Sequence, residues 1–257
     1  MKARLLISTL VGLLLGMPVC ANAAAPSINI GTMFDYLGGG NSSLLKQIRN
    51  TGDATAFVRV EVVEIQIKGD GTQVEVPIDP ALLSKPDGQG LVASPARLIV
   101  PANGMQAVRL LYRGNRDSER YYRVRFVPVV PKAKDDFVLN NDEIKTYEDS
   151  LSAGLNVLTG FGAMVIVRPA EERYATSVRK EGKDYVVENS GNSIIAVESY
   201  RTCKGPGTEC EQPTTYHVRP GKNKTLTCDQ GMVCEFDLLE GKTRTRKRII
   251  LESVETF

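Results

Sequence analysis

Residues 121–127 read Tyr121-Tyr122-Arg123-Val124-Arg125-Phe126-Val127. Tyr122, Val124 and Phe126 share one parity, while Arg123 and Arg125 take the other. That two-residue period is the signature of a strand with one buried and one wet face. The same pattern recurs on either side. Phe57 to Ile67 alternates and is rich in β-branched residues, and Met105 to Tyr112 sets Val108 and Leu110 against Arg109. Arg97 to Val100 runs into Pro101-Ala102-Asn103-Gly104, a turn. Short alternating runs broken by Gly, Pro, Asn and Asp, with almost no helical period, predict an all-β sandwich architecture.

Composition narrows the chemistry. The chain has 257 residues, of which 42% are hydrophobic, enough to build real cores. Two of its 32 Lys and Arg, Lys2 and Arg4, stand in an N-terminal leader; the rest equal the 30 Asp and Glu in number. A near-neutral mature chain has no bulk field to steer it toward nucleic acid, and none is expected as a partner. The single histidine, His217, excludes multi-histidine metal sites and leaves at most one member of a Ser-His-Asp arrangement. No paired carboxylates, ligand spacing or nucleophile motif stands out. No enzyme, metal or cofactor is expected. His217 reads as an ordinary strand residue.

The leader is an export signal. Lys2 and Arg4 precede the apolar run Leu5 to Met17, and Ala21-Asn22-Ala23 is a small-x-small cleavage pattern. The leader's apolar run is too short to span a bilayer comfortably and no other apolar stretch reaches 18 residues, so the expected mature protein is exported and not membrane-inserted. Four cysteines follow: Cys203, Cys210, Cys228 and Cys234. In an oxidising compartment they read as disulfides, with three possible connectivities. Turn residues lie between Cys203 and Cys210 and between Cys228 and Cys234, which favours those two pairs. Each such short loop contributes about 2–3 kcal/mol. Zinc is disfavoured by the spacing.

Lys132 to Ser150 is acidic and polar without a period, and is expected to be mobile. Leu151 to Val167 then reads as one long strand, with Leu151, Ala153, Leu155, Val157, Thr159 and Phe161 on the apolar parity. Gly160-Phe161-Gly162 lacks the third glycine and the helix of a dinucleotide loop, so these are strand glycines. The basic run Arg244, Arg246, Lys247, Arg248, interleaved with threonine, reads as a solvated strand face. Arg168-Pro169 ends the long strand. The expected division is a leader at 1–23, one domain at 24–169 and a second at 170–257.

The order of these elements resembles the PapD-like periplasmic chaperones of fimbriae. The likeness is carried by Ser27 to Phe34 followed by Asn41 to Asn50, by Leu91 to Leu110 with its Pro95 and Pro101-Ala102-Asn103-Gly104, by Tyr121 to Pro128, and by Val157 to Pro169. The nearer likeness is to the chaperones of alpha-type, colonisation-factor fimbriae, which carry a cysteine pair where Cys203 and Cys210 stand. The resemblance implies two immunoglobulin-like sandwich domains set at an angle. It also implies a periplasmic location, fimbrial subunits (major pilin and tip adhesin) as partners, and an outer-membrane usher. The subunit would bind along the last strand of the first domain, through Leu151, Ala153, Leu155, Val157, Thr159 and Phe161. A structural fimbrial or adhesin subunit of the same fold is the alternative. The family's Arg and Lys that hold the subunit's terminal carboxylate fall here at Met33 and Met164. Other charges for an anchor are Arg49, Arg109, Arg123, Arg125 and Arg168. Arg168 is alternatively expected to brace the domain junction with Asp117 or Glu119.

Overall fold

The computed structural model describes residues 25–78, 85, 88–135, 137–152, 157–182, 184–250 and 253–256. The leader lies outside them. The first half builds β1 (Ile28–Asn29), β2 (Phe34–Leu37), β3 (Ser43–Asn50), β4 (Ala56–Ile67), β5 (Gln73–Pro77), β6 (Gly90–Ser94), β7 (Arg97–Val100), β8 (Met105–Arg113), β9 (Arg120–Val129), one helix α1 (Asn141–Ser152) and β10 (Phe161–Val167). One sheet runs β1-β3-β8-β6 and the other β2-β10-β9-β4-β5, with β7 also on β4. Between them sits a core that includes Ile48, Val58, Val60, Leu110, Tyr122, Val124, Phe126, Ala163 and Val165. The alternation of residues 121–127 is realised in β9, where Tyr122, Val124 and Phe126 are fully buried.

The second half repeats the plan with β11 (Thr176–Glu181), β12 (Asp184–Asn189), β13 (Ile195–Gly205), β14 (Thr208–Cys210), β15 (Thr214–Val218), β16 (Lys222–Thr227), β17 (Val233–Glu240), β18 (Thr243–Ile250) and β19 (Ser253–Thr256). A sheet β11-β12-β16 faces a sheet β14-β13-β17-β18-β19, with β15 on β13. Its core is separate and includes Tyr185, Val187, Ile195, Val197, Leu226 and Phe236. Disulfides join Cys203 to Cys210 and Cys228 to Cys234. The basic face of β18 is not simply solvated. Arg201, Arg246 and Arg248 converge at 2.9–3.1 Å on the buried Glu235. Burial pushes that carboxyl up, but the three guanidinium bonds outweigh it and hold the group below its ordinary range.

Each sandwich is also tied by the same device, an Asn-x-Gly turn. Asn50 accepts from Gly52 N and Ser27 N and donates to the carbonyls of Ala54, Val100 and Pro101. Asn189 accepts from Gly191 N and donates to the carbonyls of Ser193 and Val218. Both amides are fully buried, and their bonds to the Val100, Ser193 and Val218 carbonyls are buried as well. Replacing Asn50 by Ala orphans several of them. The expected loss is about 3 kcal/mol, read as a lower urea midpoint with an unchanged slope.

Candidate functional site

A strand inside a sheet has two lateral edges to satisfy. The inner edge of β10 is paired with β9 along its whole length, from Phe161 opposite Phe126 to Val167 opposite Arg120. Its outer edge meets β2 in parallel register only from Met164 opposite Phe34 onward. The amide of Met164 donates to the carbonyl of Met33, and that of Arg168 to Leu37. By strand alternation the backbone groups of Gly162 and Gly160 point the same way, past the start of β2. Among the described residues no strand pairs there. At Gly160 a Cβ would sit 3.2 Å from the Phe126 carbonyl, a tight contact that a few tenths of an ångström of movement would relieve.

The open edge follows from how the first strand is divided. β1 pairs with β3, antiparallel, only at Asn50 and Arg49. The chain then crosses through Gly31, at φ 69°, to the other sheet and becomes β2. Lys46 pins this crossover. It is only 4% exposed, yet its ammonium donates to the Thr32 carbonyl at 2.5 Å and to Asp35 at 2.7 Å. A buried ammonium is tolerable only with such partners. Sequence reasoning passed over it; a lysine on the apolar parity of β3, between Leu44 and Ile48, was the available signal.

The segment before β10 differs from its sequence reading. The strand begins at Phe161, not at Leu151. Leu151 lies in the last turn of α1 and is 8% exposed. Nor is 132–150 without structure. Asn140 and Glu143 form a capping box, each side chain bonded to the other's amide at 2.8–2.9 Å. Ile144, Tyr147 and Leu151 follow at helical spacing and are the covered positions of α1. The helix docks on the outer face of β4, where Phe57 makes edge-on contacts with Phe137 at 5.4 Å and Tyr147 at 4.9 Å. The Tyr147 hydroxyl donates to the Thr55 carbonyl. Ala153 and Leu155 lie outside the described residues. Val157 is 73% exposed, and Thr159 is exposed as well. Both continue the parity of Phe161 and Ala163, which face the core, but beyond its end.

Beside β2 and β10 the two sandwiches enclose a cleft of about 250 Å³, lined among others by Phe34, Tyr121, Arg123, Met164, Ile166, His217 and Arg219. Met33 and Met164 are brought together by their backbone bond at its edge. Of the expected charges, Arg123 reaches the cleft, but it and Arg125 are both ion-paired to Glu75. Those two guanidiniums, Arg125 first, hold the exposed Glu75 carboxyl below its usual range. Arg49 and Arg109 stand exposed on the four-stranded sheet, away from the cleft lining. Arg168 is buried and does lie at the junction, though its ion pair is with Glu172, not Asp117 or Glu119. It also stacks on Tyr36 with its guanidinium 4.5 Å from the ring centre. Glu119 instead crosses to the second sandwich and accepts from the Ile194 amide at 2.7 Å. Asp117 lines a neighbouring hollow with Arg219. Sequence reasoning missed Arg219 and the junction role of His217, whose ring meets Phe34 and Tyr36.

No family model matches the chain. It is 27% identical over 218 residues to the probable fimbrial chaperone EcpB of Klebsiella pneumoniae subsp. pneumoniae, covering 84% of this chain and 87% of that protein. Its counterpart in Escherichia coli O157:H7 is 25% identical over the same lengths. The chain is homologous to proteins named as fimbrial chaperones. Among solved structures it shares the fold of the class 5 fimbriae chaperone CfaA, with a TM-score of 0.52, 20% identity and coverage of 88% of this chain and 100% of that one. A chain from the complex of the Salmonella enterica SafA pilin with the SafB chaperone gives 0.53 at 16% identity, covering 88% and 96%. Among the described residues no cluster of His, Cys, Asp or Glu is arranged to hold a metal ion, and no helix is long and apolar enough to cross a membrane.

The docking of α1 can be tested without any partner. Phe57→Ala removes the aromatic surface under Phe137 and Tyr147. The expected result is a loss of about 3–5 kcal/mol, with reduced helical ellipticity and faster amide exchange across 141–152 than across β9.

Proposed function

We propose that the protein is a periplasmic chaperone that binds, stabilises and delivers fimbrial subunits by lending them β10 and the residues before it. The observation that carries this reading is the open outer edge of β10 at Gly160–Ala163, continued by the exposed Val157 and Thr159. A sandwich that lacks a strand exposes a groove and unpaired backbone groups, which invites aggregation. An edge offering backbone pairs, with apolar side chains on alternate positions, satisfies both needs by strand addition. The lent residues are Leu151, Ala153, Leu155, Val157, Thr159 and Phe161. Because Leu151 is in α1, its use requires the last helical turn to unwind.

The subunits are a major pilin and a tip adhesin, and an outer-membrane usher receives them. The fimbrial-chaperone names of the relatives, and the pilin bound to SafB, support a fimbrial subunit as the partner. The domain boundary falls at Pro169, so that 24–169 binds the subunit and 170–257 forms the second wall of the cleft. A subunit's terminal carboxylate enters that cleft. With Met33 and Met164 supplying no charge, Arg123 and Arg219 are the cations within its reach. Strand exchange needs no nucleotide, metal or covalent step.

Two substitutions test the reading. Leu155→Glu and Val157→Glu each introduce a carboxylate into a groove built for apolar groups. Uncompensated burial of that kind weakens a complex by about a hundredfold or more. The expected outcome is an unchanged melting temperature with loss of one-to-one co-purification with the pilin. Normal pilin recovery from both variants would sink the proposal, as would finding the chain itself polymerised in the fibre.

A further inference from the structure

Gly162 lies inside β10 and Gly160 just before it, both on the parity that turns away from the core; Ala163 and Val165 hold the core side. A glycine inside a strand weakens it, so its presence needs a cause. The fold supplies none at 162. The ladder with β9 runs from Phe161 to Val167 without a register shift, so no bulge requires it. Its φ is not positive. A Cβ there would meet nothing closer than the Arg123 stem at 3.7 Å, an ordinary contact. The remaining cause of a strand glycine is the close approach of another chain. Both glycines are exposed, and both stand where the outer edge of β10 is open.

We propose that the bare backbone of Gly160 and Gly162 is the floor of a notch that reads the incoming subunit: it receives one aromatic side chain from the strand that adds to β10, with the ring laid against the guanidinium of Arg125. This specificity role rests on the strand-lending reading above.

The walls of the notch select the ring. Arg125 stands directly opposite Gly162 on β9, and Arg123 opposite Met164. Both guanidiniums are tied to Glu75, which holds that wall in place. Val127 follows Arg125 on the same parity and is half-buried, beside Gly160. The two glycines lie about 7 Å apart along the strand. A residue of an added strand that faces Gly162 directs its side chain to the same outer face. A flat ring there covers the glycine backbone and restores the cross-strand contact that a glycine cannot make. Val127 and the stems of the two arginines give the ring an apolar bed, and a guanidinium attracts its face. An acidic side chain would find both guanidiniums already engaged by Glu75. A branched aliphatic one would leave their attraction for a ring face unused.

The test uses the full mature chain and the fimbrial subunit recovered with it in the one-to-one complex. Gly162→Thr fills the notch with a good strand former. The melting temperature of the free chain is expected to rise by about 2–4 °C. In competition with labelled wild-type chain for refolding subunit, the variant is expected to bind about tenfold more weakly or worse. Arg125→Gln leaves the floor open and removes the charge, and is expected to cost about two- to fivefold. Each aromatic residue of the subunit's pairing strand is then changed to Leu in turn. One of these changes should weaken binding to the wild-type chain and cause no further loss against Gly162→Thr. The inference is overturned if Gly162→Thr lowers the melting temperature, since the glycine then serves the fold. It is also overturned if that variant binds the subunit normally, or if every aromatic change adds in full to it. Normal binding by Gly162→Thr beside lost binding by Val157→Glu would remove the notch and leave the chaperone reading standing. Absence of any complex with the wild-type chain would remove both.

Discussion

β10 needs a partner on each lateral edge, and the chain supplies the outer one for only part of its length. That shortage is built in by the crossover after β1, which spends the first strand on two sheets and leaves β2 with four residues. The features around the site follow from it. Lys46 is buried because the crossover must be held at a fixed point. The cleft exists because β2 and β10 end together against the second sandwich. The exposed Val157 and Thr159 are what an apolar parity becomes once its sheet has run out.

The helix α1 adds an opposing element. Its capping box and its contact with Phe57 stabilise residues 141–152 as a helix packed on β4. An extended state of the same residues gains backbone pairs only when another chain supplies them. The two states therefore compete for Leu151, which the helix keeps out of solvent.

Much of this was legible in the residues and some was not, for identifiable reasons. β9 declared itself because Tyr122, Val124 and Phe126 alternate with arginines on a sheet wet on one side. The stretch from Leu151 misled because its apolar residues fit a strand parity, while the spacing of Ile144, Tyr147 and Leu151 fits a helix; Asn140 and Glu143 were the deciding signal. His217 could not be placed, since its partners Phe34 and Tyr36 lie some 180 residues earlier. Local patterns report local geometry, and contacts between two sandwiches are set by neither period. The Met33 and Met164 positions were located from family resemblance, and their adjacency follows from the parallel pairing of β2 with β10.

The sulfur atoms are distributed unequally. All four cysteines of the expected mature chain belong to the second sandwich, and both bridges close short loops, with sequence separations of seven and six. The sandwich carrying β10 has no sulfhydryl at all. A polypeptide with unoxidised cysteines lying along that strand meets no thiol with which to form a mixed disulfide. Under the proposed strand addition, contact along β10 is noncovalent whatever the redox poise of the compartment.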